Sequence, residues 1–260
     1  MILRRRLDTE LVRRGLVGTR AEAQRLIAGG SVLVPGHPSP KPATLVAPEE
    51  QIRLDDRPST WASRGGEKLA AALDRFDVAL EGRRAIDIGA STGGFTDVLL
   101  DRGVASVLAL DVGYGQLLWR LSTDPRVSVV DRTNFRTVDP AAIGAPFDVV
   151  TMDVSFISAA SLAPQLHGVG ADGTDYVVLV KPQFEVGRRR VGRGGIVRDP
   201  EAHRAAVATV VAALSGSGLA PRAAMPSPVL GSKGNREFLV HARFGPGGRE
   251  TGRLVDEAFA

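Results

Sequence analysis

The sequence predicts an α/β protein in which a doubly wound sheet is preceded by a small α+β module. Three observations predict it. From residue 84 onward, apolar strand-like runs recur with helical stretches between several of them, as in a parallel sheet covered on both faces. A glycine-rich turn follows the first run, and acids or a lysine fall at the ends of the others. Ahead of these, residues 1–41 form an arginine-rich segment with its own helix-start signals.

In that segment Asp8 is expected to cap a short helix, Thr9 to Arg14, closed by Gly15. Thr19-Arg20-Ala21-Glu22 reads as a capping box opening a second helix that runs to about Ala28 and stops at Gly29-Gly30. Leu11, Leu16, Ala23, Leu26 and Ile27 can share one small core. Strands are expected at Ser31–Val34 and Ala43–Val46, around a turn rich in proline and glycine. Eight basic side chains (Arg4, Arg5, Arg6, Arg13, Arg14, Arg20, Arg25, Lys41) face three acids (Asp8, Glu10, Glu22) here, a net +5. The whole chain is only +4, so the excess sits on this module and points to a polyanion, nucleic acid first. Such a charge run can equally be a solvated face. The module is expected to span 1–57, with a linker at 58–64 and the second domain at 65–260.

In the second domain a helix is expected around Gly65 to Phe76. The strands are Arg84–Ile88, Ser106–Asp111, Val127–Asp131, Phe147–Asp153, Asp175–Lys181 and Glu237–Ala242, with helices at Gly94–Arg102 and Glu201–Leu214. Ligands of such sheets sit beyond the carboxyl ends of the strands, which singles out Asp87, Asp111, Asp131, Asp153 and Lys181. The first turn, Asp87-Ile-Gly89-Ala90-Ser91-Thr92-Gly93-Gly94-Phe95, is neither a dinucleotide G-x-G-x-x-G nor a P-loop. Its glycines still let backbone amides approach a ligand, and Asp111 can hold a ribose diol. Turn and acid together indicate an adenosine-bearing cofactor without saying which one.

Composition excludes several classes. With 260 residues, 43% apolar and 24% charged, the chain is an ordinary globular protein. It has no cysteine and four scattered histidines, so no metal site is expected. Its longest strongly apolar stretch, Ala205 to Leu214, is about half a membrane span, and its N-terminus lacks a signal-peptide core. A cytoplasmic location is expected. Only four of the 33 basic residues are lysines (Lys41, Lys68, Lys181, Lys233), each a mild candidate for a role that needs an amine.

The run RRRLDTELVRRGLVGTRAEAQRLIAGGSVLV resembles the S4 RNA-binding domain over residues 4–57. D-x-G-A-S-T-G-G-F-T, L-D-V-G-Y-G-Q-L, R-T-N, D-V-S-F-I-S and V-K-P-Q-F-E follow in that order and resemble the FtsJ-related 2′-O-ribose methyltransferases. With the S4-like module the chain resembles the TlyA family over almost its whole length. That resemblance, and not the spacing, selects S-adenosylmethionine as the cofactor. It implies a Rossmann-like methyltransferase with a catalytic tetrad at Lys68, Asp153, Lys181 and Glu237. The partner it implies is ribosomal RNA within ribosomal subunits, with a cytidine ribose as target, on the large subunit and in some members also the small.

Lys181 is then the expected general base or proton acceptor, aided by Lys68 nearby and by partial burial, with Asp153 and Glu237 orienting the lysines. The alternative is that Lys181 only steers the hydroxyl. Cofactor contacts are expected from Asp87, the amides of Gly89 to Gly94, Phe95, Asp111, Val112, Asn134, Phe135 and Asp153. RNA contacts are expected from Arg4, Arg6, Arg14, Arg20, Arg25, Lys41, from Phe156 stacked on a flipped-out base, and from the loop Arg188-Arg189-Arg190, read as flexible. Two rivals are a membrane-active haemolysin, a label the family also carries, and an inactive RNA-binding assembly factor. The missing membrane signals argue against the first and the intact tetrad against the second.

Overall fold

The computed structural model describes residues 4–28, 31–35, 37, 40–54, 61–231 and 233–260. Gly29-Gly30, the turn residues 36, 38 and 39, and positions 55–60 of the expected boundary and linker lie outside them.

The N-terminal unit pairs two very short strands, β1 (Arg5–Arg6) and β3 (Leu45–Val46), and two more, β2 (Val32–Leu33) and β4 (Arg53–Leu54), both antiparallel. Helices α1 (Leu7–Arg13) and α2 (Arg20–Ala28) close over them around Leu7, Leu11, Ala23, Ile27, Val32 and Val46. β1 and β4 were not expected, because two residues of Arg-Arg or Arg-Leu carry no alternation to read. The capping box forms with one change. Thr19 Oγ1 accepts from the Glu22 amide at 3.1 Å, while the Glu22 carboxylate accepts from Gly18 N at 2.8 Å, one residue earlier than the motif predicts.

Asp8 is not the cap of α1. The helix begins at Leu7, and Asp8 is a fully buried carboxylate in its first turn. Arg6 (2.9 Å), Arg20 (2.9 Å) and Gln24 (3.0 Å) all donate to it. Their hydrogen bonds, Arg6 first, outweigh burial and hold Asp8 far below the usual carboxylate range. Buried Glu10 is held low in the same way, first by Arg13 and then by Arg14. Arg14 also donates to the carbonyls of Ala47, Pro48 and Glu50. Part of the arginine excess thus neutralises two buried acids and ties the helices to the 47–50 turn.

The second unit is one seven-stranded sheet flanked by helices. In chain order it comprises α3 (Gly65–Phe76), β5 (Arg84–Ile88), α4 (Gly94–Asp101), β6 (Ser106–Leu110), α5 (Trp119–Ser122), β7 (Val127–Val130), β8 (Phe147–Met152) and α6 (Ala163–Gly168). β9 (Gly170–Val180), α7 (Pro182–Glu185), α8 (Pro200–Gly216), β10 (Leu219–Pro226), β11 (Phe238–Phe244) and α9 (Thr251–Glu257) complete it. The spatial order is β10-β11-β9-β8-β5-β6-β7. α3 and α4 bury Leu69, Leu73, Val98 and Leu99 on one face; α6 and α8 bury Leu166, Val207, Val210 and Leu214 on the other.

The expected all-parallel sheet needs one correction. β11 runs antiparallel to both β9 and β10. β10 itself escaped the sequence reading because Leu219–Pro226 contains two prolines and an arginine rather than an apolar run. The consequence is positional. Phe238, at the start of β11, pairs with Val180 at the end of β9, so Glu237 stands beside Lys181. A parallel β11 would carry Glu237 to the opposite edge of the sheet. Residues 61–64, expected as linker, pack on this unit: Trp61 and Ala62 join the α3/α4 core, and Ala62 N donates to Asp97 at 2.7 Å.

Candidate active site

The ends of β5, β6, β8 and β9 converge on two adjoining cavities. Gly89, Ser91 and Asp153 line both. The first, about 230 Å³, is bounded by Ser63, Arg64, Gly65, Lys68, the turn at Ala90–Thr92, Phe95, Asp153, Lys181 and Glu237. The second, about 350 Å³, lies between Asp111 and Asp153, walled by Ile88, Leu110, Phe135, Ile157 and Leu162 with Val112, Gln116, Thr133 and Asn134 at its rim.

The first cavity holds all four residues of the expected tetrad, paired as two salt bridges. Lys68 Nζ donates to Glu237 Oε2 at 2.6 Å, and Lys181 Nζ lies 2.6 Å from Asp153 Oδ1 and donates to Ser155 Oγ at 2.9 Å. Lys68 and Glu237 are buried; Asp153 is about one-fifth exposed at the junction of the cavities. Burial pushes the Asp153 carboxyl up, but the charges of Lys181 and then Lys68 outweigh it and hold it below the usual range. It is therefore an anion at neutral pH.

Glu237 is fitted closely by its own loop. Gly231 packs so near that an added Cβ would overlap the Glu237 carboxylate. Gly231→Ala is therefore expected to displace Glu237 from Lys68 and lower turnover about tenfold or more, with little change in thermal stability. Steady-state kinetics beside a melting curve checks this; unchanged turnover would show that the pair tolerates displacement.

The glycine-rich turn is built differently from expectation. The Gly89 and Ala90 amides donate to the Leu110 carbonyl, Ser91 N to Asp111 Oδ2 at 2.9 Å, and Gly93 N to the Ala90 carbonyl. Four of the amides expected to hold cofactor thus hold the turn. Gly89 is required here: its φ is +84° and a Cβ would overlap the Asp153 carbonyl oxygen. Asp111 accepts from Ser91 N and, at 2.6 Å, from Gly113 N, which leaves a lone pair on each oxygen for a diol. Phe135 belongs to the core and also walls the second cavity, while Asn134 accepts from Arg136 N.

Asp87 and Gly93 line neither cavity. Asp87 lies fully buried beneath the turn, receiving the hydroxyls of Thr96 at 2.7 Å and Thr151 at 3.2 Å. Burial pushes its pKa from 3.8 up to about 7; the charge of Asp153 adds to this and the Thr96 and Thr151 bonds oppose it. The folded state keeps the Asp87 proton where an unfolded chain has released it. This contribution to stability is thus full below about pH 4 and lost as pH rises to 7. Asp87→Asn is expected to gain several degrees on the wild type between pH 5 and 8. Melting curves that run parallel across that range would remove the raised pKa.

Phe156 is 89% exposed, with a left-handed φ of +68°, a conformation that is rare for an aromatic residue. Its ring contacts Phe184 at 5.4 Å. Glu185 fixes the same loop, accepting from Ser158 Oγ and Ala159 N, both at 2.6 Å. Arg188, Arg189 and Arg190 form an exposed 3-10 turn. Ser63, Arg64, Leu230, Ser155, Gln116 and Thr133 also line the cavities and were not anticipated. Only Ser155, two residues after Asp153 at a strand end, carried any signal. Among the described residues no group of three or more His, Cys, Asp or Glu could hold a metal ion.

The fold and the family it matches are those of a Rossmann-like methyltransferase, preceded in the chain by an S4 module. The chain belongs to the FtsJ-like methyltransferase family, which matches residues 61–244, and to its TlyA members, with an S4 domain matched over residues 5–52. It is 48% identical over 244 residues to the 16S/23S rRNA (cytidine-2′-O)-methyltransferase TlyA of Mycobacterium tuberculosis, covering 94% of this chain and 91% of that protein. It is 35% identical to Hemolysin A of Brachyspira hyodysenteriae, covering 91% and 98%. A solved structure from Streptococcus thermophilus, also described as a hemolysin, superposes with a TM-score of 0.76 at 35% identity, covering 100% of this chain and 97% of that one.

Proposed function

We propose that this chain transfers a methyl group from S-adenosylmethionine to the 2′-hydroxyl of a cytidine ribose in ribosomal RNA. The large subunit is the first substrate to test and the small subunit the second. The observation that carries the reading is the single cleft holding Lys68–Glu237 and Lys181–Asp153, open to an apolar slot that ends at Asp111. The slot fits the cofactor: Phe135, Ile157 and Leu162 suit a flat base, and Asp111 has acceptors left for a ribose diol. When bound, S-adenosylmethionine supplies an electrophilic methyl group on a cationic sulfur.

The protein's part is to hold and activate the hydroxyl. Asp153, anionic at the junction of the cavities, aims Lys181 Nζ with the help of Ser155. Lys181 Nζ then either receives the 2′-hydroxyl proton as the neutral amine, having first given a proton to solvent, or as the ammonium donates a hydrogen bond that aligns the oxygen. Lys68, neutralised by Glu237, keeps the site from carrying an unpaired charge. Phe156 offers its exposed ring to the flipped base, and Arg188, Arg189 and Arg190 grip phosphates beside the cleft. Arg4, Arg6, Arg20, Arg25 and Lys41 present positive charge on the S4 unit, with Arg14 chiefly holding its fold. In this reading residues 1–57 dock RNA, and residues 61–64, of which Ser63 and Arg64 line the cleft, work with the methyltransferase unit. The activity places the chain with ribosomes in the cytoplasm. For the haemolysin name borne by relatives no observation speaks: among the described residues no helix is long and apolar enough to cross a membrane.

The test is transfer of labelled methyl from S-adenosylmethionine to separate small and large subunits from an unmethylated strain, with mapping of 2′-O-methyl ribose. Label at a cytidine ribose on either subunit supports the reading and names the substrate. Cofactor binding without label on subunits, ribosomes or bare rRNA would leave the assembly-factor reading standing instead.

A further inference from the structure

The arginine loop after α7 is not loose. Four main-chain hydrogen bonds fold it: Arg190 N to Gly187 O, Val191 N to Arg188 O, Gly192 N to Ile196 O and Gly195 N to Gly192 O. Its far end is fastened by one side chain from another part of the chain. Asn235, 1% exposed, accepts from Val197 N at 2.9 Å through Oδ1 and donates to the Gly195 carbonyl at 2.9 Å through Nδ2. Its own carbonyl accepts from Gly231 N at 2.9 Å, closing the turn that presses on Glu237. Two residues further on, Glu237 holds Lys68.

An amide is the side chain that can serve both ends of this link. It carries a donor and an acceptor on one plane, whereas a carboxylate only accepts. Because both of its partners are main-chain groups of the loop, the loop cannot shift without moving the segment that leads into Glu237. We propose that Asn235 is a positioning residue that couples RNA phosphates gripped by the arginine loop to the Lys68–Glu237 pair. The inference rests on the function proposed above, and it assigns the loop a second task besides affinity: setting the site when RNA is in place.

The test is a double-mutant cycle on the full chain, with the unmethylated large subunit as substrate. Asn235→Ala is combined with replacement of Arg188, Arg189 and Arg190 by alanine. In the wild-type background Asn235→Ala is expected to raise KM for the subunit and lower kcat, each about tenfold, since it leaves buried main-chain groups unpaired and frees the loop. S-adenosylmethionine affinity by calorimetry stays within twofold. With the loop arginines gone, Asn235→Ala no longer raises KM. Asn235→Asp, which keeps only the acceptor, falls between and serves should the alanine variant not fold. Effects that multiply across the cycle, or no change in KM and kcat, would overturn the proposal. If the wild type transfers no methyl, the functional reading alone fails, and the same cycle read by rRNA affinity still decides the coupling.

Discussion

Lys181→Ala is expected to lower methyl transfer about a thousandfold or more while S-adenosylmethionine affinity stays within a few fold. The side chain lines the first cavity, reaching Asp153 at the junction of the two cavities and Ser155 in the wall of the second, and it does not itself line the slot that ends at Asp111. Loss of the ammonium also removes the largest charge that holds the Asp153 carboxyl down, so burial then pushes that group upward. A new ionisation, absent from the wild type, should appear in the residual pH–rate profile. Lys181→Arg separates the two roles left open for this residue. A guanidinium can steer a hydroxyl but does not release a proton in the working range. Transfer as low as in the alanine variant makes Lys181 the base; recovery to within about tenfold of wild type makes it a steering group. Full activity of the alanine variant would remove Lys181 from the mechanism altogether.

Asp111→Ala is expected to weaken S-adenosylmethionine binding about a hundredfold, with rRNA affinity unchanged. Two charge-assisted hydrogen bonds to a ribose diol, at about 1.5 kcal/mol or more each, account for that size. The same carboxylate braces the glycine-rich turn through Ser91 N and Gly113 N, so part of the loss is turn geometry rather than ribose contact. Asp111→Asn tells these apart. Its single carbonyl oxygen can brace one of the two amides, and the NH2 replaces an acceptor with a donor on the diol side. Calorimetry with S-adenosylmethionine and with its 2′-deoxy analogue makes the comparison. If wild type and variant lose equal affinity when the 2′-hydroxyl is absent, Asp111 does not touch the ribose.

Much of this site was legible in the chain because strand ends announce themselves. An apolar run that stops at an acid or a lysine marks the edge of a parallel sheet, and Asp111, Asp153 and Lys181 all lie at that edge. The helix expected around Gly65 to Phe76 and the apolar run Arg84–Ile88 both formed where they were read, as α3 and β5. Other features had no local signature. Ser63 and Arg64 read as linker, yet they line the first cavity because Ala62 is pinned to Asp97. The two-residue strands of the N-terminal unit are too short for any period. The arginines there read as a uniform basic face, whereas Arg6, Arg13, Arg14 and Arg20 each pair with one of the two buried acids, Asp8 and Glu10.

The sequence by itself determined the alternation of strands and helices, the glycine-rich turn, the scarce lysines and the charge concentrated in the first module. These are local properties, set by side-chain periodicity and residue type. Tertiary structure alone decided which of the turn's amides are already used, and that Asn235 joins two loops some 40 residues apart in the chain. It also decided the direction of β11. Strand direction is a matter of long-range pairing, which neighbouring residues do not encode. That direction, Phe238 opposite Val180, brings Glu237 from the start of one strand to Lys181 at the end of another and so completes the proposed tetrad.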